Sequence, residues 1–203
     1  MMEEWLQSHS LTIHDLSDWK IQASKTGLAI PVFTLTGKFA FQMIRKFSGS
    51  PNYEFVPPGC RRGTLLYGLN RSIAETRRAG MSVTVEGFSD VIALHKHGIV
   101  YANGVMGSTV SSTQMALNAM LADHNIYLFD GDEAGEEAAR SLSVDANIPA
   151  WVGSIVIDGY DPCEAVAKGL PVETILTRAN HLIEEFQYIK FAADGKVIQA
   201  VER

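Results

Sequence analysis

The sequence predicts an α/β fold: a mostly parallel sheet flanked by helices, preceded by a small mixed α+β subdomain that is basic. Three observations carry this. From residue 81 onward, short apolar strand-like runs alternate with helix-forming stretches, the pattern of a parallel sheet covered on both faces. Before residue 81 the alternation is absent, and a hairpin-like stretch runs into a segment rich in proline and glycine. The charge is also divided. Residues 38–78 hold Lys38, Arg45, Lys46, Arg61, Arg62, Arg71, Arg77 and Arg78 against only Glu54 and Glu75, although the whole chain carries a net charge of −6. Such a split allows a basic track on one part and an acidic site on another.

Each element follows from local pattern. Residues 3–9 and 12–18 read as short helices, the second opened by Thr12 as N-cap. Residues 28–35, LAIPVFTL, read as a strand, and Pro31 favours a sheet edge. Gly37 turns the chain into a return strand, FAFQMIRKF. Residues 48–64, SGSPNYEFVPPGCRRGT, hold three prolines and three glycines and read as a long irregular loop; such loops in compact domains are often functional. Residues 65–79 form a helix closed by Gly80. Then come strand 82–86, helix 88–97, strand 99–105, a Gly/Ser/Thr turn and helix 111–123. Strand 126–130, helix 133–142, strand 151–157 and helices 162–168 and 172–186 complete the alternation. The last helix has an apolar face (Val172, Ile175, Leu176, Ala179, Leu182, Ile183, Phe186) that would pack on the sheet. Residues 191–203 read as a loose tail or small hairpin. The expected division is 1–80, a basic subdomain; 81–170, the alternating α/β domain; and 171–203, a C-terminal helix and tail.

Several classes are excluded. The N-terminus, MMEEWLQSHS, lacks the regions of a signal peptide, and no apolar run approaches the ~18–20 residues of a membrane helix. A cytoplasmic protein of a bacterial or phage-infected cell, with no membrane partner, is expected. Cys60 and Cys163 lie far apart and fit no zinc-ligand spacing, so no structural zinc is expected. No GxxxxGK[ST] occurs, which removes a P-loop. DGDEAG opens like a calcium-binding EF-hand, but Ala134 and Ser141 stand where oxygen ligands are required.

The acids are the informative feature. In parallel sheets, ligands sit beyond the C-terminal ends of the strands. Glu86 ends the first strand of the alternating region, Asp130 ends the third, and Asp158 and Asp161 follow the fourth. Any one of them would serve as a turn or N-cap residue. Their recurrence at successive strand ends points instead to a cation. Asp130 and Asp132 can reach one ion if the turn at Gly131 folds back. An all-oxygen set selects Mg²⁺ or Mn²⁺ over Zn²⁺.

The order of motifs then identifies a family. VEGFSD at 85–90, FDGDEAGEEAA at 129–139 and DGYDPCEAVAKG at 158–169 resemble the Toprim domain of bacterial DnaG-type DNA primases, which carries VEGxxD, DGDxAG and DPDE-like elements in that order. GVMGSTVSSTQ at 104–114 is similar to the family's turn before a helix. Upstream, WLQSHSLTIHDLSDWKIQ at 5–22, IRKFSGSPNY at 44–53 and RRGTLLYGL at 61–69 resemble the primase catalytic core, so the resemblance spans residues 3–170. Two departures stand out. Pro51-Asn52-Tyr53 replaces PKY, and Asp161-Pro162-Cys163-Glu164 replaces DPDE.

The resemblance implies a DNA-dependent RNA polymerase that makes short primers on single-stranded DNA from ribonucleoside triphosphates by two-metal phosphoryl transfer. It implies Glu86, Asp130 and Asp132 as catalytic residues and, with Asp161, as Mg²⁺ or Mn²⁺ ligands; Glu86 either joins the metal shell or moves a proton. It implies that Arg45, Lys46 and Arg62 contact phosphates of template or nucleotide. A replicative helicase and a zinc-binding module in trans are the further partners implied, in a minimal primase of a phage or other mobile element. Two other readings stay open: a Toprim metal-dependent nuclease, and a weakened homologue acting as a DNA-binding replication accessory, for which Cys163 and Asn52 speak. Tyr53 reads as a buried aromatic, His95 and His97 as ordinary helix residues, and the two cysteines as incidental thiols.

Overall fold

The computed structural model describes residues 2–49, 52–107, 109–144 and 147–203. Ser50 and Pro51 of the expected loop, and Ser108 of the expected Gly/Ser/Thr turn, lie outside the described residues.

Helices α1 (Met2–Ser8) and α2 (Ile13–Asp18) open the chain. Thr12 caps α2 reciprocally: its hydroxyl accepts the Asp15 N–H at 3.2 Å, and its own N–H donates to the Asp15 carboxylate at 2.7 Å. An antiparallel sheet follows in the order β1 (Gln22–Ala23), β2 (Gly27–Phe33), β3 (Phe39–Lys46) and β4 (Tyr53–Val56). Pro31 sits where an edge is still available. β1 covers β2 only at Leu28 and Ala29, so the missing N–H of Pro31 costs no ladder bond on that side. β4 lies inside the stretch expected to be irregular. Its four residues are too few for alternation to show between the flanking prolines and glycines.

A 3₁₀ turn (Arg62–Thr64) leads to α3 (Leu69–Ala79). This helix starts four residues later than expected because Tyr67 spends both backbone groups on Gly104, at 2.8 and 2.9 Å. Then come β5 (Met81–Val85), α4 (Phe88–Lys96), β6 (Ala102–Gly104), α5 (Ser112–Ala119), β7 (His124–Phe129) and α6 (Glu133–Arg140). They are followed by β8 (Trp151–Ile157), α7 (Pro162–Ala167), α8 (Val172–Leu182), β9 (Phe186–Phe191) and β10 (Val197–Glu202). The second sheet has the order β10-β9-β8-β7-β5-β6, parallel except for β10. Val83, Ile126, Leu128, Ile155 and Ile157 are buried in its centre, as expected for strands covered on both faces.

Two expectations need correcting. The last helix stops at Leu182, and Phe186 begins β9. Phe186 happens to fall on the helical period, which hid the strand. Of the two readings of residues 191–203, the hairpin holds: β9 and β10 pair antiparallel, and the hairpin starts earlier than expected and joins the main sheet. Nor does the core break at residue 80. Leu16, Leu28 and Ile30 belong to the same buried cluster as Val83, Phe88 and Val91, and Trp5 of α1 stacks on Phe88 at 5.7 Å.

Candidate metal centre and its basic border

β5, β7 and β8 are parallel neighbours, so their C-terminal ends share one edge. Glu86 follows β5, Asp130 follows β7, and Asp158 and Asp161 follow β8. The last two turns are fastened together: the Gly131 N–H donates to the Tyr160 carbonyl and the Gly159 N–H to the Gly131 carbonyl, both at 2.9 Å. A Cβ on Gly131 would strike the Ile157 carbonyl oxygen and stand 2.6 Å from the Tyr160 nitrogen. Only glycine lets the acid-bearing turns approach this closely. Gly135 is equally constrained, since a Cβ there would strike the Asp130 carbonyl. Its N–H donates to Asp132 at 2.8 Å, so Asp132 caps α6.

Glu86, Asp90, Asp130 and Asp161 line one cleft of about 330 Å³. Asp132 lies around the turn, on a neighbouring acidic surface with Glu133, Glu136 and Asp158. Asp161 also caps α7, accepting the Glu164 N–H at 2.6 Å. The capping roles and the convergence on one edge are thus compatible. Burial, reinforced by the charges of Glu86, Asp161 and Asp132, pushes the Asp130 carboxyl up to about 7. Glu86 is raised by burial and by Asp132, against the N–H of Asp130. Among the described residues no lysine or arginine pairs with Glu86, Asp130, Asp132 or Asp161. Crowded carboxylates without a counter-ion are a donor set that a divalent cation fits, and the cation would return them to their ionised forms.

Asp90 was not singled out from the sequence, although it is the final acid of VEGFSD. It is only 9% exposed, and burial together with Asp130 and Asp161 pushes it up to about 8. The Gly87 N–H donates to it at 3.2 Å. Donor atoms of Asp90, Asp161 and Cys163 lie within 4.8 Å of one another. Cys163, however, is committed elsewhere. Its thiol, 3% exposed, donates to the His9 carbonyl at 2.9 Å, and burial pushes it up to about 12. It is a protonated tie between α7 and the chain after α1, not a thiolate.

Strand parity separates the basic residues. Arg45 and Tyr53 are cross-strand partners, as are Met43 and Phe55, and all four share the face of β3 and β4 that borders the cleft. The Arg45 guanidinium lies 5.1 Å over the Tyr53 ring. Lys46 points to the opposite face, beside Ile44 and Gln22, and pairs with Glu54. Arg62 lines the cleft, 5.2 Å over the Phe55 ring and 3.5 Å from the Met106 carbonyl. Tyr53 is 41% exposed and so is not the buried aromatic expected. The structure puts Arg62 in the cleft with the acids, Arg45 on the bordering face over Tyr53, and Lys46 on the far face. His95 bonds the Ala102 carbonyl at 2.9 Å, an ordinary structural role.

Residues 83–166, which carry the three acidic turns, match a family model described as Toprim-like. Over 133 residues the chain is 32% identical to the DNA primase of Synechococcus elongatus, covering 63% of this chain and 19% of that protein. The RNA polymerase domain of Mycobacterium tuberculosis primase DnaG superposes with a TM-score of 0.72 at 18% identity, covering 89% of this chain and 75% of that one. A DnaG primase catalytic domain bound to single-stranded DNA gives 0.63 at 18% identity, covering 82% and 69%. Fold and sequence together bear out the resemblance to the DnaG-type primase core. The chain spans about a fifth of the length of the curated relatives it matches (19% and 22%). Among the described residues no helix is long and apolar enough to cross a membrane.

Proposed function

We propose that this chain joins ribonucleoside triphosphates into short RNA on a single-stranded DNA template. The observation that carries this reading is the convergence of Glu86, Asp130 and Asp161 from three adjacent strand ends, without an ion pair to a lysine or arginine among the described residues, on a cleft bordered by Arg62 and by the Arg45 face. Glu86, Asp130 and Asp161, with Asp132 from the adjoining turn, would hold Mg²⁺ or Mn²⁺. When bound, such cations stabilise the attacking 3′-oxygen and the departing pyrophosphate. Arg45 and Arg62 take phosphates without reading sequence, and Tyr53 offers a ring beside them for a base. Residues 1–80 thus supply the nucleic-acid border and residues 81–170 the acids. A helicase and a zinc-binding module in trans complete the proposed setting.

A second reading, a DNA-binding accessory with weak synthesis, is favoured by Cys163, whose thiol ties the fold where the DPDE-like element that the sequence resembles would have an acid. Incubation with single-stranded DNA, four ribonucleotides and Mn²⁺ or Mg²⁺ separates the readings. Short RNA that vanishes in Asp130→Ala supports synthesis. Cleaved DNA would instead establish a nuclease, and retained DNA without any product, with helicase and zinc module supplied, an accessory.

A further inference from the structure

We infer that Lys190, on the C-terminal hairpin, is a positioning residue for the divalent-cation site, holding the two acid-bearing turns at a fixed separation. The inference rests on the metal-dependent reading above. Lys190 lies on β9 opposite Val156 of β8. Its ammonium is 2.8 Å from the Glu136 carboxylate and 2.9 Å from that of Asp158. These two acids belong to different arms of the site. Glu136 is in the first turn of α6, and its N–H donates to the Asp132 carbonyl at 2.9 Å. Asp158 opens the turn that ends in Asp161, and its own N–H donates to the Phe191 carbonyl at 2.9 Å. Lys190 therefore bridges the Asp130–Asp132 arm and the Asp161 arm from outside, while the Gly131 backbone pair joins them from within.

The hairpin grips α6 at further points. Arg140, at the end of that helix, donates to Gln199 of β10 at 2.6 Å and lies 4.4 Å over the Tyr188 ring of β9. Apart from Lys190 and Arg140 the surface here is acidic, with Asp132, Glu133, Glu136, Glu137 and Asp158 together. Without the Lys190 charge, Glu136 would keep Arg140 of its own helix at 2.7 Å, but no cation would join it to Asp158 across the two arms, and α6 with its Asp132 cap would be freer to move from the β8 turn. Lys190 and Glu136 are 19% and 24% exposed and Asp158 52%, so salt screens the Glu136 arm of the bridge less than the Asp158 arm. A divalent cation needs its carboxylates pre-set, because each spread arm must otherwise be drawn back on binding.

Mn²⁺ titration of the full chain by calorimetry, with thermal melting in the absence of metal, tests this. Lys190→Met, which keeps the apolar stem, should bind Mn²⁺ about tenfold more weakly, the lower range for residues that orient metal ligands. Lys190→Arg, whose fork can span both acids, should stay within about threefold of wild type. The metal-free melting temperature of both should remain near wild type. Equal Mn²⁺ affinity in wild type and Lys190→Met overturns the inference, as does a loss that merely tracks a large fall in melting temperature. If Lys190→Met does not fold, Lys190→Gln, which removes the charge but keeps a polar head between the two acids, takes its place and carries the same expectation. Wild type that takes up no Mn²⁺ overturns this inference and the metal-dependent reading together. Mn²⁺ binding weakened by Lys190→Met in a chain that makes no RNA supports the inference while the polymerase reading falls.

Discussion

Glu86, Asp130 and Asp161 leave their strands at one edge of a parallel sheet, whereas Arg45 and Lys46 project from the middle of an antiparallel strand. In the first region, topology alone gathers the charges. Parallel neighbours end together, and any residue just past the end arrives at the common edge. In the second, parity decides. Consecutive residues of β3 point to opposite faces, so two adjacent cations with the same sequence credentials part company. Acids at strand ends can be assigned from order in the sequence, and cations within strands cannot.

The largest expected effect tests the acidic edge. Asp130→Ala should lower RNA synthesis by several kcal/mol of barrier, on the order of 10³-fold. The same substitution should not lower the metal-free melting temperature, because Asp130 is already repelled by Glu86 and Asp161. A fall of several degrees would mean that the carboxylate supports the fold, and the contrast with the basic sheet would fail. Next in size is Gly131→Ala. The new Cβ meets backbone on the facing turn, which cannot swing away like a flexible side chain. Destabilisation of about 2–3 kcal/mol in chemical denaturation is expected, together with weaker Mn²⁺ binding. A neutral outcome would show that the turns have slack.

The basic border is tested by a pair. Arg45→Ala should weaken binding to oligodeoxythymidylate and reduce the salt slope of log K by about 1. Lys46→Ala should leave both nearly unchanged, since Lys46 faces the other groove and is paired with Glu54. Equal losses would show that nucleic acid wraps both faces of the sheet, which breaks the parity argument.

This contrast also explains what could be read in advance. The βα alternation, the Thr12 cap and the three acidic turns all rest on short-range patterns, and the structure reproduces them. β4 and β9 were hidden for opposite reasons. β4 has four residues between breakers, too few to show a period, whereas Phe186 of β9 continues a helical one by coincidence. Asp90 was visible as the last letter of VEGFSD, but its importance depends on burial against Asp130 and Asp161, which no spacing reveals. Lys190 carried no signal at all. A lone lysine in FQYIKF acquires its role only when the hairpin joins the sheet beside β8.

The smallest effect concerns Cys163, where an acidic position has become a thiol. If the thiol acts as the structure places it, Cys163→Ala removes one hydrogen bond to the His9 carbonyl and a little packing. Stability should then fall by about 1 kcal/mol, with the Mn²⁺ half-saturation of RNA synthesis unchanged. Cys163→Asp is the sharper variant. It restores the acid of the DPDE-like element that the sequence resembles, but it adds a further carboxyl within 4.8 Å of buried Asp90 and exposed Asp161. The metal-free protein should melt lower and regain that loss as Mn²⁺ is added, because only a cation can offset the added repulsion. Cys163→Ala that shifts the metal requirement would show the thiol to be a ligand after all, whereas Cys163→Asp that Mn²⁺ does not rescue would put position 163 beyond the reach of the cation. In the first case the ligand set would extend two residues into α7, and topology would no longer suffice to define it.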